Sequence, residues 1–172
     1  MSMIHTLNWY RRHHVGHPDL ALWPEVTALT REDIVLAGES MSQLARAAGT
    51  PCTRVAEAAR GSWSSVLGER YCAVIVTAVE TVVPASRGAD REVWVDAELD
   101  GCEPLADSIR MIGRRSSHPE VPFVVRPSRR SGDLRSVLPG DVVPGDLLAF
   151  VVVRPVALHD IRRRSRHHER LY

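Results

Sequence analysis

Met41 to Gly61 reads MSQLARAAGTPCTRVAEAARG, and the fold turns on how this stretch is read. Met41, Leu44, Ala45, Ala48, Cys52, Val55, Ala56 and Ala59 recur at three- and four-residue steps, the period of a helix face. Gly49 and Pro51 interrupt the pattern. The physical choice is between one kinked helix and two helices joined by a tight turn, with Pro51 tolerated in the first turn of the second. Ser40 is suited to cap the start, and Gly61-Ser62 ends the helical signal. Just upstream, Thr30-Arg31-Glu32-Asp33 fits a capping box, so Ile34 to Leu36 reads as a short helix or turn. Gly38-Glu39-Ser40-Met41-Ser42 also resembles a nucleophile elbow without its last Gly. No convincing strand precedes it, which favours the N-cap role for Ser40.

Outward from this stretch the pattern changes. Tyr71 to Val83 is rich in Val, Ile and Thr and apolar on both faces through Val79, which predicts a central, buried strand closed by Pro84. Glu92 to Leu99 alternates, with Val93, Val95, Ala97 and Leu99 facing in and Asp96 and Glu98 facing out. The turn between them predicts an antiparallel pair. Ser108 to Ile112 reads as a third strand. Pro119 to Pro144, with many Pro, Gly and Arg residues, reads mostly as loop. Leu147 to Val153 is a last strong strand, extending toward Leu158. On the other side, Ile4 to Tyr10 reads as a short strand and RRHHVGHP as a turn. The expected organisation is one α+β domain over 1–161 and a basic, mobile tail over 162–172.

At 172 residues, 44% hydrophobic and 25% charged, the chain has the composition of an ordinary globular protein. No stretch approaches the ~18–20 apolar residues of a membrane span, and the N-terminus lacks an apolar signal core. We therefore expect a soluble, cytoplasmic protein. Cys52, Cys72 and Cys102 are odd in number and lack a CxxC pair, as expected of thiols in a reducing compartment. All 22 basic residues are Arg, and the formal charge of +1 argues against a general nucleic-acid coat. The charge is segregated: Asp90 to Asp107 is acidic, and Arg110 to Arg135 is basic. His13, His14 and His17 suggest metal ligands, but Gly16 and Pro18 break the helix that would align them, so we expect neither metal nor cofactor.

Two resemblances follow from these residues. Met41 to Gly61 looks like the helix-turn-helix of bacterial repressors, with Ala45, Gly49, Val55 and Ala58 at the packing positions. That resemblance implies a DNA-binding regulator in which Cys52, Thr53, Arg54 and Glu57 face the major groove. The second resemblance spans Gly38 to Leu99. Gly38 with Ser40, Gly49, and Gly68-Glu69-Arg70-Tyr71 resemble the hotdog-fold acyltransferase/decarboxylases of polyketide pathways, in which a long helix is wrapped by a curved antiparallel sheet.

The hotdog resemblance is the preferred expectation. It implies a biosynthetic enzyme acting on an acyl thioester, carried by coenzyme A or an acyl-carrier protein, in a homodimer. Tyr71 is then the candidate catalytic hydroxyl, His118 a candidate acid–base group, and Ser40, Arg114 and Arg115 candidate substrate contacts. The two arginines would hold ligand phosphates. A DNA-binding regulator is the alternative, and a non-catalytic small-molecule binder is a third reading.

Overall fold

The computed structural model describes residues 20–61, 63–86, 90–99, 101–127 and 134–161. The expected strand Ile4 to Tyr10, the histidines at 13, 14 and 17, and the basic tail lie outside them.

The described residues form a mostly β structure with three short helices. β1 (Thr27–Leu29), β2 (Ile34–Leu36) and β3 (Glu39–Ser40) make a small antiparallel sheet. Helix α1 (Met41–Ala48) follows directly. The larger sheet runs in the order β7 (Arg110–Ile112), β10 (Leu147–Val152), β5 (Tyr71–Val83), β6 (Arg91–Val95), β8 (Glu120–Arg126), β9 (Leu134–Pro139). All its neighbours are antiparallel except β6 and β8. β4 (Cys52–Glu57) pairs with the first half of β5, and β6 pairs with its second half past a bulge between Val79 and Thr81. The sheet curls until its end strands β7 and β9 approach within 8 Å, Cα to Cα, without forming a ladder. The result is a barrel with one open seam. Helices α2 (Trp63–Leu67) and α3 (Leu158–Ile161) are short additions.

β5 is buried on both sides because it separates two cores. Ala73, Ile75 and Val79 point into the barrel with Leu148, Phe150 and Phe123. Cys72, Val74 and Val76 point outward, against Trp23, Ile34, Met41 and Trp63. Thr77, on the inner face, has no access to water and donates its hydroxyl to the Leu148 carbonyl at 3.3 Å. Each aliphatic side chain buried this way contributes about 1.5–3 kcal/mol, and from Cys72 to Thr77 the strand has no face left for solvent. The expected inward alternation of Val93, Val95, Ala97 and Leu99 holds, and all four are at most 1% exposed.

Met41 to Gly61 is not a helical pair. α1 stops at Ala48, where Gly49 at φ +81° donates its N–H to the Ala45 carbonyl. After Pro51 the chain is extended. Cys52, Ala56 and Ala58 also fit a two-residue period, and six residues of ladder with β5 outweigh the helix propensity of Ala, Arg and Glu. Arg54 therefore sits on an edge strand. Its guanidinium binds Glu39 at 2.7 and 3.0 Å and the Thr53 carbonyl at 3.3 Å. The recognition helix of a DNA-binding regulator does not exist. The long central helix of a hotdog unit is absent from the described residues as well: α1 has eight residues and lies outside the barrel. The α+β hotdog expectation is thus corrected to a mostly β, barrel-like sheet.

Two further expectations are corrected. Thr30 to Asp33 is a turn rather than a helix start: Thr30 Oγ accepts the Asp33 N–H at 2.8 Å, and Ile34 to Leu36 is a strand. Pro119 to Pro144 contains β8 and β9. No helix among the described residues is long and apolar enough to cross a membrane.

Candidate functional site

The structure scatters most of the expected site residues. Ser40 caps α1, accepting the Gln43 N–H at 3.1 Å and donating to Asp33. Asp33 also accepts the Ser42 N–H and hydroxyl, both at 3.0 Å, which ties the turn to the helix start. Tyr71 opens β5 at the surface, 42% exposed, with the Arg70 guanidinium 5.4 Å from its ring centre. Arg115 is exposed.

Arg114 and His118 are brought together, around Asp141. Arg114 binds Asp146 through two hydrogen bonds of 2.6 and 2.7 Å, and Asp141 through its carboxylate and its carbonyl, each at 2.9 Å. Ser116 donates to Asp141 at 2.6 Å, and His118 Nδ1 lies 3.4 Å from the same carboxylate. Serine, histidine and aspartate thus meet, but in the wrong order for a nucleophilic triad, in which the imidazole stands between the other two. Here the carboxylate stands in the middle and holds the serine's proton. Ser116 and Arg114 together lower the Asp141 carboxyl to about 2. The Asp146 carboxylate, and after it Asp141, raises Arg114 further above its ordinary range. This cluster is a clip that fastens the chain after β7 to the loop between β9 and β10. Its guanidinium is already occupied, which leaves little for a ligand phosphate.

Cys52 and Cys72 offer no activated nucleophile either. Burial pushes the Cys72 thiol up to about 12 and raises that of Cys52.

The candidate site lies at the open seam. A groove of about 400 Å³ is lined by Asp107, Ile109 and Arg110 from the β7 side and by Arg135, Ser136 and Val137 from β9. Glu120, Pro122 and Phe123 of β8, Asp90 and Trp23 complete it. The groove exists because β7 and β9 face each other without hydrogen-bonding. It brings carboxylates and guanidiniums together among apolar side chains. At its mouth Arg135 pairs with Asp90. None of these lining residues was singled out by the sequence motifs. The signal for them was the charge segregation: Asp90 and Asp107 come from the acidic segment, Arg110 and Arg135 from the basic one. Among the described residues no group of His, Cys, Asp and Glu side chains is arranged to hold a metal ion.

No family model matches the chain, and no curated protein does. Solved structures with local similarity include a diaminopimelate decarboxylase, 26% identical with a TM-score of 0.36, over 45% of this chain and 23% of that one. The arginine decarboxylase of Paramecium bursaria Chlorella virus bound to agmatine is 17% identical, TM-score 0.33, over 45% and 24%. AQ1208 from Aquifex aeolicus is 16% identical, TM-score 0.34, over 47% and 22%. The chain spans about a quarter of the length of these proteins, and at such TM-scores the likeness carries neither their fold nor their activity to it. With Met41–Ala48 a short helix, Cys52–Glu57 a strand and no long helix among the described residues, the acyl-thioester and DNA-binding expectations are overturned.

Proposed function

We propose that the protein is a binding module for a small molecule that carries both an amine and a carboxylate, held in the groove at the barrel seam. The observation that supports this is the lining itself: Asp107 and Glu120 line the same space as Arg110 and Arg135, with apolar atoms of Ile109, Pro122, Phe123 and Val137 among them. Guanidiniums match a ligand carboxylate in planar, charge-assisted pairs, and carboxylates match an ammonium group. A groove of this size is at the lower end of small-molecule sites, with room for a molecule about as large as an amino acid. The same reading places the protein in the cytoplasm, supported by Cys52 and Cys72 kept as buried thiols.

Calorimetric titration with free amino acids, simple carboxylates and simple amines tests this. Amino acids should bind more tightly than either single-charge class. Asp107→Asn and Arg110→Gln should each weaken binding about tenfold or more, since a hydrogen bond to a charged group contributes about 1.5–3 kcal/mol. Absence of binding by any amino acid, or binding untouched by both substitutions, would sink the reading.

A further inference from the structure

The two walls of the groove belong to opposite halves of the sheet: β7 stands with β10 and β5, and β9 with β8 and β6. Along the ladders from β7 to β9 the strand direction reverses at every pair except β6 with β8, four times in all. β7 and β9 therefore run the same way and finish at the same end of the seam. Residues 113–119 lead from β7 to β8, and residues 140–146 lead from β9 to β10. Each connection has to pass the edge strand of the other half, so the two cross over the end of the seam.

Arg114 sits at the crossing and binds both halves. Asp146 is anchored to the β7 half: its carbonyl accepts the Val79 N–H at 2.8 Å, and the Gly145 N–H donates to the Val79 carbonyl at 2.8 Å. Asp141 is anchored to the β9 half through Gly140, whose N–H donates to the Pro119 carbonyl at 3.0 Å and whose carbonyl accepts from Arg91 at 3.2 Å. The guanidinium reaches Asp146 at 2.6 and 2.7 Å and Asp141 at 2.9 Å, so it spans the seam where no ladder does. The chain just before it is held from outside: Gly113 donates to the Glu32 carbonyl and accepts from Arg46, each at 2.7 Å. A shift of β9 is therefore not absorbed by a shift of Arg114. Resting on the seam-groove reading, we propose that Arg114 is a positioning residue for the ligand: by clasping the two halves it fixes the distance between the wall carrying Arg110 and the wall carrying Arg135. A ligand with two opposite charges must reach both walls at once, and binding groups have to be held within about 0.5 Å of their working geometry. The width of the seam is thus part of the recognition, although Arg114 is not in the groove lining.

Arg114→Lys and Arg114→Gln test this, by calorimetry with the amino acid that binds the unaltered chain most tightly and by amide hydrogen exchange. Lys keeps the charge but lacks the planar fork that holds two carboxylates at once, so this variant should fold with the clasp open. Both measurements are made where circular dichroism shows the variants fully folded. Affinity is expected to fall at least tenfold in each. Exchange in β7 and β9 is expected to rise at least tenfold more than in β5, a core strand that exchanges through global unfolding. Asp141→Ala should lose as much affinity as Arg114→Gln, and the double variant no more, because both cut one link. Unchanged affinity in the folded variants overturns the proposal and leaves the groove reading standing. Exchange that rises by one common factor across β5, β7 and β9 also overturns it, since Arg114 would then support the whole fold and not the seam. An unaltered chain that binds no amino acid overturns the groove reading and the positioning role with it, whatever the exchange pattern.

Discussion

The Arg114 clip and the seam groove are built from the same residue types and behave oppositely. In the clip, one guanidinium faces two carboxylates at 2.6–2.9 Å, and Asp146 is only 8% exposed. Its oxygens also receive the Val143 N–H at 2.9 Å. In the groove, Arg135 and Asp90 pair at the mouth with side chains 75% and 43% exposed, and Asp107 and Glu120 are exposed. The difference is the backbone around them. At the clip, the loop after β9 wraps the guanidinium. At the seam, β7 and β9 stop short of a ladder and leave a gap. Charge that is enclosed by a wrapped loop holds the fold together, and charge along the gap stays in contact with solvent.

The largest effect is expected at the clip. Asp146→Ala removes both oxygens facing Arg114 and the acceptor of the Val143 N–H, and should cost about 3 kcal/mol in urea denaturation. A loss under about 0.5 kcal/mol would show that the clip is no more than a surface ion pair.

Acid should separate the two regions next. The folded carboxyl of Asp141 is lowered from 3.8 to about 2, chiefly by Ser116 and Arg114. Its contribution to stability is therefore fully present above about pH 4 and is lost as pH falls toward about 2, because the unfolded chain takes up the proton first. Asp141→Asn should flatten that part of the stability profile. An unchanged acid limb in the variant would remove Asp141 from the account.

The smallest effect is expected at the mouth of the groove. Arg135→Ala removes an exposed ion pair and should change stability by no more than about 0.5 kcal/mol. A loss comparable to that of Asp146→Ala would mean that the groove is structural and would erase the contrast.

Much of the sheet is readable along the chain. Tyr71 to Val83 is β5 to the residue, and Leu147 to Val153 contains β10, because strands buried on both faces need apolar, β-branched residues at nearly every position. β8 is harder to see, since Pro122 lies within it. The parallel ladder with β6 begins only at Phe123, so the proline sits where β8 has no neighbour on that side and its missing N–H costs nothing. β4 is harder still. Cys52, Val55, Ala56 and Ala59 satisfy a helical period while Cys52, Ala56 and Ala58 satisfy a strand period, and small residues enforce neither.

By itself, then, the sequence determined the buried strands β5 and β10 and the inward face of β6, because local composition and period leave one way to bury those side chains. It also carried the separation of acid from base on either side of residue 108. Only the tertiary structure decided that Cys52 to Glu57 is a strand, since the ladder with β5 supplies hydrogen bonds that no local pattern announces. Only the tertiary structure made a groove of Asp107, Arg110, Glu120 and Arg135. That grouping depends on how far the sheet curls before its edges meet, and the curl is a sum over every strand's twist rather than a property of any one segment.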